Sequence, residues 1–124
     1  MNVFDRLLLI TQRAKNFGFA WPTVNMAIDQ VISEAHEVME AITKDQSKER
    51  IAEEVGDLLQ ASLELCLFLK LDPDMVLNNS IDKFTIRLDL LEKIAKEQGY
   101  ADLHSLPVEL IHSLWHQVKM SLHL

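Results

Sequence analysis

Cysteine occurs once in this 124-residue chain, and glycine and proline three times each. The lone thiol, Cys66 in the apolar run "ASLELCLFLKL", has no intrachain partner, so a disulfide framework is excluded; it reads as a buried thiol in a reducing compartment. Few glycines and prolines mean few turn and bulge signals, which argues against strands joined by tight turns. Positive charge is also in deficit, with 12 Lys and Arg against 19 Asp and Glu, a net charge of −7. Broad attachment to nucleic acid or an anionic membrane surface needs clustered cations, so neither is expected as a partner. No apolar run reaches the roughly 20 residues of a membrane span, and the first residues, "MNVFDRLLLITQRAK", mix charge with apolar residues unlike a signal peptide. The expected location is the cytoplasm.

What is present is helix-forming sequence. Apolar residues make up 48% and charged residues 25%, a globular balance, and a chain of this length predicts one domain over residues 1–124. The expected fold is all-α, a bundle of four to five helices. A first helix is read over residues 2–16, ending near Gly18, and "FGFAWP" as a loop. Pro22 and Thr23 open a second helix with a seam of Val24, Ile28, Val31, Ala35, Val38 and Ile42. The polar turn "TKDQSKER" precedes a third helix with Ile51, Val55, Leu58, Ser62, Leu65 and Leu69 in the same rhythm. Its second half is apolar nearly all round, which predicts burial against a second subunit. Asp72 and Pro73 start a fourth helix that stops at Gly99, and Ser105 with Pro107 begins a fifth.

Acidic residues recur beside these seams. On a helical wheel Glu34 and Glu37 fall just off one edge of the second seam, and Glu54 and Asp57 off the corresponding edge of the third. A single E-x-x-E is usually solvated surface; the second pair on the adjoining helix, on the same side of its seam, raises the case. An antiparallel hairpin would bring four carboxylates to one groove, where protonation, basic partners or divalent cations must relieve the repulsion. All-carboxylate ligands suit Mg²⁺ or Mn²⁺, and cations so held assist phosphoester or phosphoanhydride cleavage. Lys83 and Arg87, four apart on the fourth helix, can add positive charge.

Residues 17–119 resemble the MazG family of all-α nucleoside triphosphate pyrophosphohydrolases. The family's E-x-x-E stands here as Glu34-Ala35-His36-Glu37 followed by "VMEAI", and its E-x-x-D as Glu54-Val55-Gly56-Asp57 followed by "LLQ". "DKFTIRLDLLEK" is similar to the family's stretch with Lys and a following Arg, and "LPVELIHSLWHQVK" to its closing helix with Leu114 and Trp115. The resemblance implies that Glu34, Glu37, Glu54 and Asp57 hold Mg²⁺ and carry catalysis, and that Lys83 and Arg87 bind phosphates. It further implies that water attack releases a nucleoside monophosphate and pyrophosphate, and that the protein is a homodimer or homotetramer. The chain departs from the family where Ser33 replaces a common Glu, and where Trp21-Pro22 replaces Trp-Asp with no Gln-Thr after it. These positions bear on base preference. The alternatives are a phosphoribosyl-ATP pyrophosphatase-like activity and a helical assembly module without catalysis.

Trp21 is a candidate for stacking on a nucleobase or for plugging the loop onto the bundle, and Trp115 reads as core. Glu109 and His112 have the E-x-x-H spacing of di-iron bundles but lack the second copy such sites need, because His36 follows Glu34 by two residues and not three. His104, His116 and His123 read as surface groups. Gly56 inside a helix predicts close approach by another helix, and Ser33 has no base at useful spacing for nucleophilic catalysis.

Overall fold

The computed structural model, which describes residues 1–122, contains five helices, and four of them start where a short polar side chain can satisfy a free N–H group of the first turn. The five are α1 (Val3–Asn16), α2 (Val24–Thr43), α3 (Lys48–Phe68), α4 (Pro73–Glu97) and α5 (Val108–Leu122). Among the described residues there is no strand, so the all-α expectation holds. Asn2, Thr23 and Ser47 accept from the backbone N–H three residues on, at 2.9, 3.2 and 3.2 Å. Asp72 takes the N–H of Asp74 at 3.0 Å just ahead of α4. The polar turn before α3 is shorter than the sequence reading had it, because Ser47 caps and Lys48 to Arg50 are already helical. Helix α5 begins at Val108, with the Pro107 carbonyl accepting from Ile111 at 3.1 Å.

The helix ends share one device. After α1 and α4, Gly18 and Gly99 take positive φ of 97° and 89°, and after α2 and α3 the same left-handed position is held by Asp45 and Lys70 at 53° and 61°. In all four the next N–H reaches back to the third residue from the helix end: Phe19 to Ala14, Gln46 to Ala41, Leu71 to Cys66 and Tyr100 to Ala95, at 2.8–3.0 Å. Glycine carries this conformation at little cost, whereas Asp45 and Lys70 bear a Cβ there.

The described chain comprises two compact units, residues 1–76 and Leu77 onward. In the first, α2 and α3 form an antiparallel hairpin through the short turn at residues 44–47, and α1 touches α3. Apart from Pro73 at the head of α4, its buried apolar side chains are three alanines: Ala27, Ala41 and Ala61. Alanines at a helix contact let two axes approach closely.

The predicted seams therefore hold only in part. On α2 the packed stripe runs Ala27, Val31, Glu34, Val38, Ala41, while Ile28 and Ile42 are exposed; on α3 it runs Ile51, Glu54, Leu58, Ala61, Leu65, while Val55 and Leu69 are exposed. Bulk marked only part of each stripe: Val31, Val38, Ile51, Leu58 and Leu65 belong to the predicted seams, whereas Ala27, Ala41 and Ala61, which make the closest contact, do not. No neighbour approaches Gly56, where an added Cβ would meet nothing within 4 Å, so its predicted helix contact is absent among the described residues. Cys66 is free and half-buried.

The second unit has an ordinary apolar core. Leu114 and Val118 of α5 are fully buried with Leu91 of α4, and Leu90, Ile94, Leu103, Leu106 and Leu110 pack around them. Trp115, read as core, packs against this cluster and is half-buried. Burying a large aliphatic side chain contributes about 1.5–3 kcal/mol, so this cluster anchors α5 on α4. His104 and His116 are exposed, as are Glu109 and His112; His123 lies outside the described residues. None of the described helices is long and apolar enough to cross a membrane.

Candidate functional site

The α2–α3 hairpin decides where the acidic residues meet. Glu34 stands on the packed stripe of α2 between Ala27 and Ala41, and Glu54 on that of α3 two turns ahead of Ala61. Because alanines leave space at the contact, carboxylates from both helices point into it. One oxygen each of Glu34, Glu54 and Asp57 lies within 4.8 Å of the others. Glu54 is 7% exposed, so it is inside the helix contact and not merely beside the core as the wheel suggested. Glu34 is half-buried and Asp57 exposed. Glu37, one turn on from Glu34, is exposed and outside the three-oxygen cluster, though near enough to act on Glu34 electrostatically.

Charge of one sign in this space has a visible effect. Partial burial first, then the neighbouring carboxylates of Asp57, Glu54 and Glu37, hold the Glu34 carboxyl above its ordinary value, while a hydrogen bond from Gln30 works in the opposite direction. Gln30 Nε2 donates to Glu34 Oε1 at 2.6 Å. Arg50 Nη2 donates to Glu54 Oε1 at 2.6 Å, and its Nη1 to Glu53 Oε2 at 2.6 Å. Arg50 thus gives Glu54 a basic partner, while Glu34 stays crowded by its acidic neighbours. Sequence reasoning passed over both Gln30 and Arg50. The signal was there, in a donor one turn before each inner carboxylate, but such pairs are common on exposed helices.

The donor set fits a hard divalent cation. Oxygens coordinating Ca²⁺ or Mg²⁺ sit at about 2.0–2.6 Å from the ion, so ligands on opposite sides of one ion are about 4–5 Å apart. The three oxygens, all within 4.8 Å, match that span. Carboxylate oxygens without His or Cys favour Mg²⁺, Mn²⁺ or Ca²⁺ over zinc.

The expected phosphate-binding residues lie in the second unit. Lys83 is exposed on α4, and Arg87, one turn later, is half-buried with its guanidinium carbon 5.8 Å from the Trp115 ring centroid. Phe84 closes on the same indole, ring centroids 6.1 Å apart and tilted by 53°. Arg87 Nε is buried and makes no hydrogen bond. Trp21, on the connection between α1 and α2, is 38% exposed, which leaves ring surface uncovered. A surface depression of the first unit, about 730 Å³, is lined by Ile10, Arg13, Ala14, Asn16, Phe17 and Phe19 and by none of the carboxylates.

Comparison with known proteins bears on this arrangement. A nucleoside triphosphate pyrophosphohydrolase of Escherichia coli is 32% identical over 111 residues, 89% of this chain and 42% of the relative. A Thermotoga maritima protein named nucleoside triphosphate pyrophosphohydrolase/pyrophosphatase MazG is 31% identical over 110 residues, 89% of this chain and 41% of the relative. The Bacillus subtilis protein YabN, described as uncharacterized, is 35% identical over 66 residues, 53% of this chain and 13% of its own length. The chain therefore spans about two fifths of the length of the first two relatives. The family model of the MazG nucleotide pyrophosphohydrolase domain matches residues 23–91, which contain the hairpin, all four acidic motif residues, Lys83 and Arg87. With more than half of its length matched, the chain belongs to the MazG nucleotide pyrophosphohydrolase domain family.

Proposed function

We propose that this protein hydrolyses nucleoside triphosphates to a nucleoside monophosphate and pyrophosphate in a Mg²⁺-dependent reaction, with Mn²⁺ able to replace Mg²⁺, and that it serves nucleotide-pool clean-up. The observation that carries the reading is the convergence of Glu34, Glu54 and Asp57 from two adjacent helices within 4.8 Å. The names of the Escherichia coli and Thermotoga maritima relatives support the same reaction.

In this reading Glu34, Glu54 and Asp57 bind the cation, and Glu37 joins them by a side-chain rotation from its exposed position one turn away. A divalent cation held there would neutralise polyphosphate charge and lower the pKa of a bound water. Water adds to the α-phosphorus, the bond from that phosphorus to the α–β bridging oxygen breaks, and pyrophosphate leaves with the bridging oxygen. Lys83 and Arg87 bind phosphate oxygens; the planar guanidinium offers a paired set of donors that an ammonium lacks. Trp21 offers an exposed ring face to a nucleobase. The first unit buries alanines and leaves Leu59 and Phe68 of α3 and the following Leu69 exposed, which supports assembly as a homodimer or homotetramer.

The test is a pyrophosphate-release assay with Mg²⁺ over canonical and altered nucleoside triphosphates, with phosphoribosyl-ATP in the same panel. Hydrolysis of at least one nucleoside triphosphate, lost in Glu54→Gln, is the expected result. Hydrolysis of phosphoribosyl-ATP alone would reassign the substrate. No turnover anywhere, with metal affinity unchanged in Glu54→Gln, would leave an assembly module without catalysis.

A further inference from the structure

Two side chains outside the carboxylate set hold it in place, and they do so in the same way. Gln30 lies one helical turn before Glu34 and donates Nε2 to one carboxylate oxygen; Arg50 lies one turn before Glu54 and donates Nη2 to one carboxylate oxygen, each at 2.6 Å. On both helices a donor at position i therefore ties one oxygen of the acid at i+4. The second oxygen is left to coordinate, and the side chain has already lost rotamer freedom that binding would otherwise remove. Arg50 is itself braced, because its other nitrogen donates to Glu53. Swinging the guanidinium away from Glu54 breaks both bonds.

Resting on the reading that this cluster takes a divalent cation, we propose that Gln30 and Arg50 are positioning residues of the metal site, fixing Glu34 and Glu54 on facing helices. For Gln30 only orientation is at stake, since it is neutral. For Arg50 two effects oppose each other. Its positive charge repels an incoming cation, which would make its removal tighten binding. Its double hydrogen bond fixes the buried Glu54, which makes its removal loosen binding. Groups that orient metal ligands from behind cost about 10–100-fold in metal affinity when removed. The charge of a half-exposed guanidinium, already engaged by Glu53 and Glu54, is largely neutralised and screened. Orientation therefore outweighs repulsion.

The experiment measures binding of Mn²⁺ alone to the full chain, by calorimetry and by the electron paramagnetic resonance signal of free ion, with no nucleotide present. Gln30→Leu and Arg50→Met should each weaken Mn²⁺ binding by about tenfold or more. Arg50→Gln keeps a donor and discards the charge, in the geometry that Gln30 and Glu34 already realise, and should bind more tightly than Arg50→Met. Metal-free melting curves for each variant separate lost orientation from lost folding, and the Gln30→Leu and Arg50→Gln pair carries the test should Arg50→Met fold poorly. Wild-type affinity or tighter in Gln30→Leu and Arg50→Met overturns the inference and leaves the metal reading standing. A wild-type chain that takes up no Mn²⁺ removes both.

Discussion

Replacing Glu34 by glutamine should stabilise the metal-free protein and destabilise the metal-loaded one. Glutamine keeps the shape of the side chain and can still accept from Gln30, so the change removes a charge and little else. That charge faces the carboxylates of Glu54 and Asp57, with ligand oxygens within 4.8 Å of one another. At that separation each like-charge pair costs about 0.9 kcal/mol in a medium of water's dielectric constant. Screening at physiological ionic strength, with a Debye length of about 8 Å, roughly halves the two-pair sum to about 1 kcal/mol. For a chain of this size that corresponds to a melting temperature higher by about 3–5 °C. With saturating cation the sign reverses: at about one hundred times Kd the wild type gains about 2.7 kcal/mol from binding, and a variant lacking one ligand forfeits most of it. Thermal melts followed by circular dichroism, in chelator and in millimolar Mg²⁺ or Mn²⁺, read both arms. A Glu34→Gln variant less stable in chelator, or gaining as much from cation as wild type, would refute the crowding argument.

The same carboxyl predicts a pH dependence. Because its proton affinity is raised on folding, the folded state holds more protons than the unfolded state between the ordinary value of 4.5 and the raised one. Stability from this group is therefore gained as pH falls through the raised value and complete below the ordinary one. Chelator melts from neutral to mildly acidic pH should show that gain in wild type and lose it in Glu34→Gln. Lys70→Gly should raise stability by about 1 kcal/mol in denaturant titration, because glycine relieves a left-handed position at the end of α3, less the backbone entropy it adds to the unfolded chain. Trp115→Leu removes the ring that Arg87 covers and part of the packing beside Leu114. It should cost about 2–3 kcal/mol, below the range for a fully buried aromatic truncated to Ala, and raise KM for nucleotide about two- to fivefold, the factor matching a cation–π contact of about 0.5–1 kcal/mol.

The starts at Thr23 and Asp72 were readable because their chemistry is local, a short oxygen-bearing side chain reaching an N–H within one turn, whereas Ser47, which caps α3 in the same way, lay hidden inside a run of polar residues. Two of the four left-handed helix ends were not readable either, because Asp45 and Lys70 occupy positions where glycine would have signalled the stop. The seams misled for a different reason. Counting bulk singled out Ile28 and Ile42, whereas close packing selects Ala27 and Ala41, and only the partner helix shows which stripe it faces. At the site, the spacing of Glu34, Glu37, Glu54 and Asp57 was legible as periodicity. The depth of Glu54 and the separation of Glu37 from the oxygen cluster depend on how the hairpin closes. Gln30 and Arg50 escaped notice because a donor four residues before an acid looks the same whether it solvates a surface or braces a ligand.

The short turn at residues 44–47 has a consequence for how the protein acquires its chemistry. Every clustered oxygen comes from one pair of sequence-adjacent helices, so assembling them needs only a local closure whose entropy is modest. Low sequence separation between contacting segments favours rapid folding. A chain that has formed only this pair already brings the three oxygens together, so a cation bound there as proposed would bias the earliest steps toward the native register.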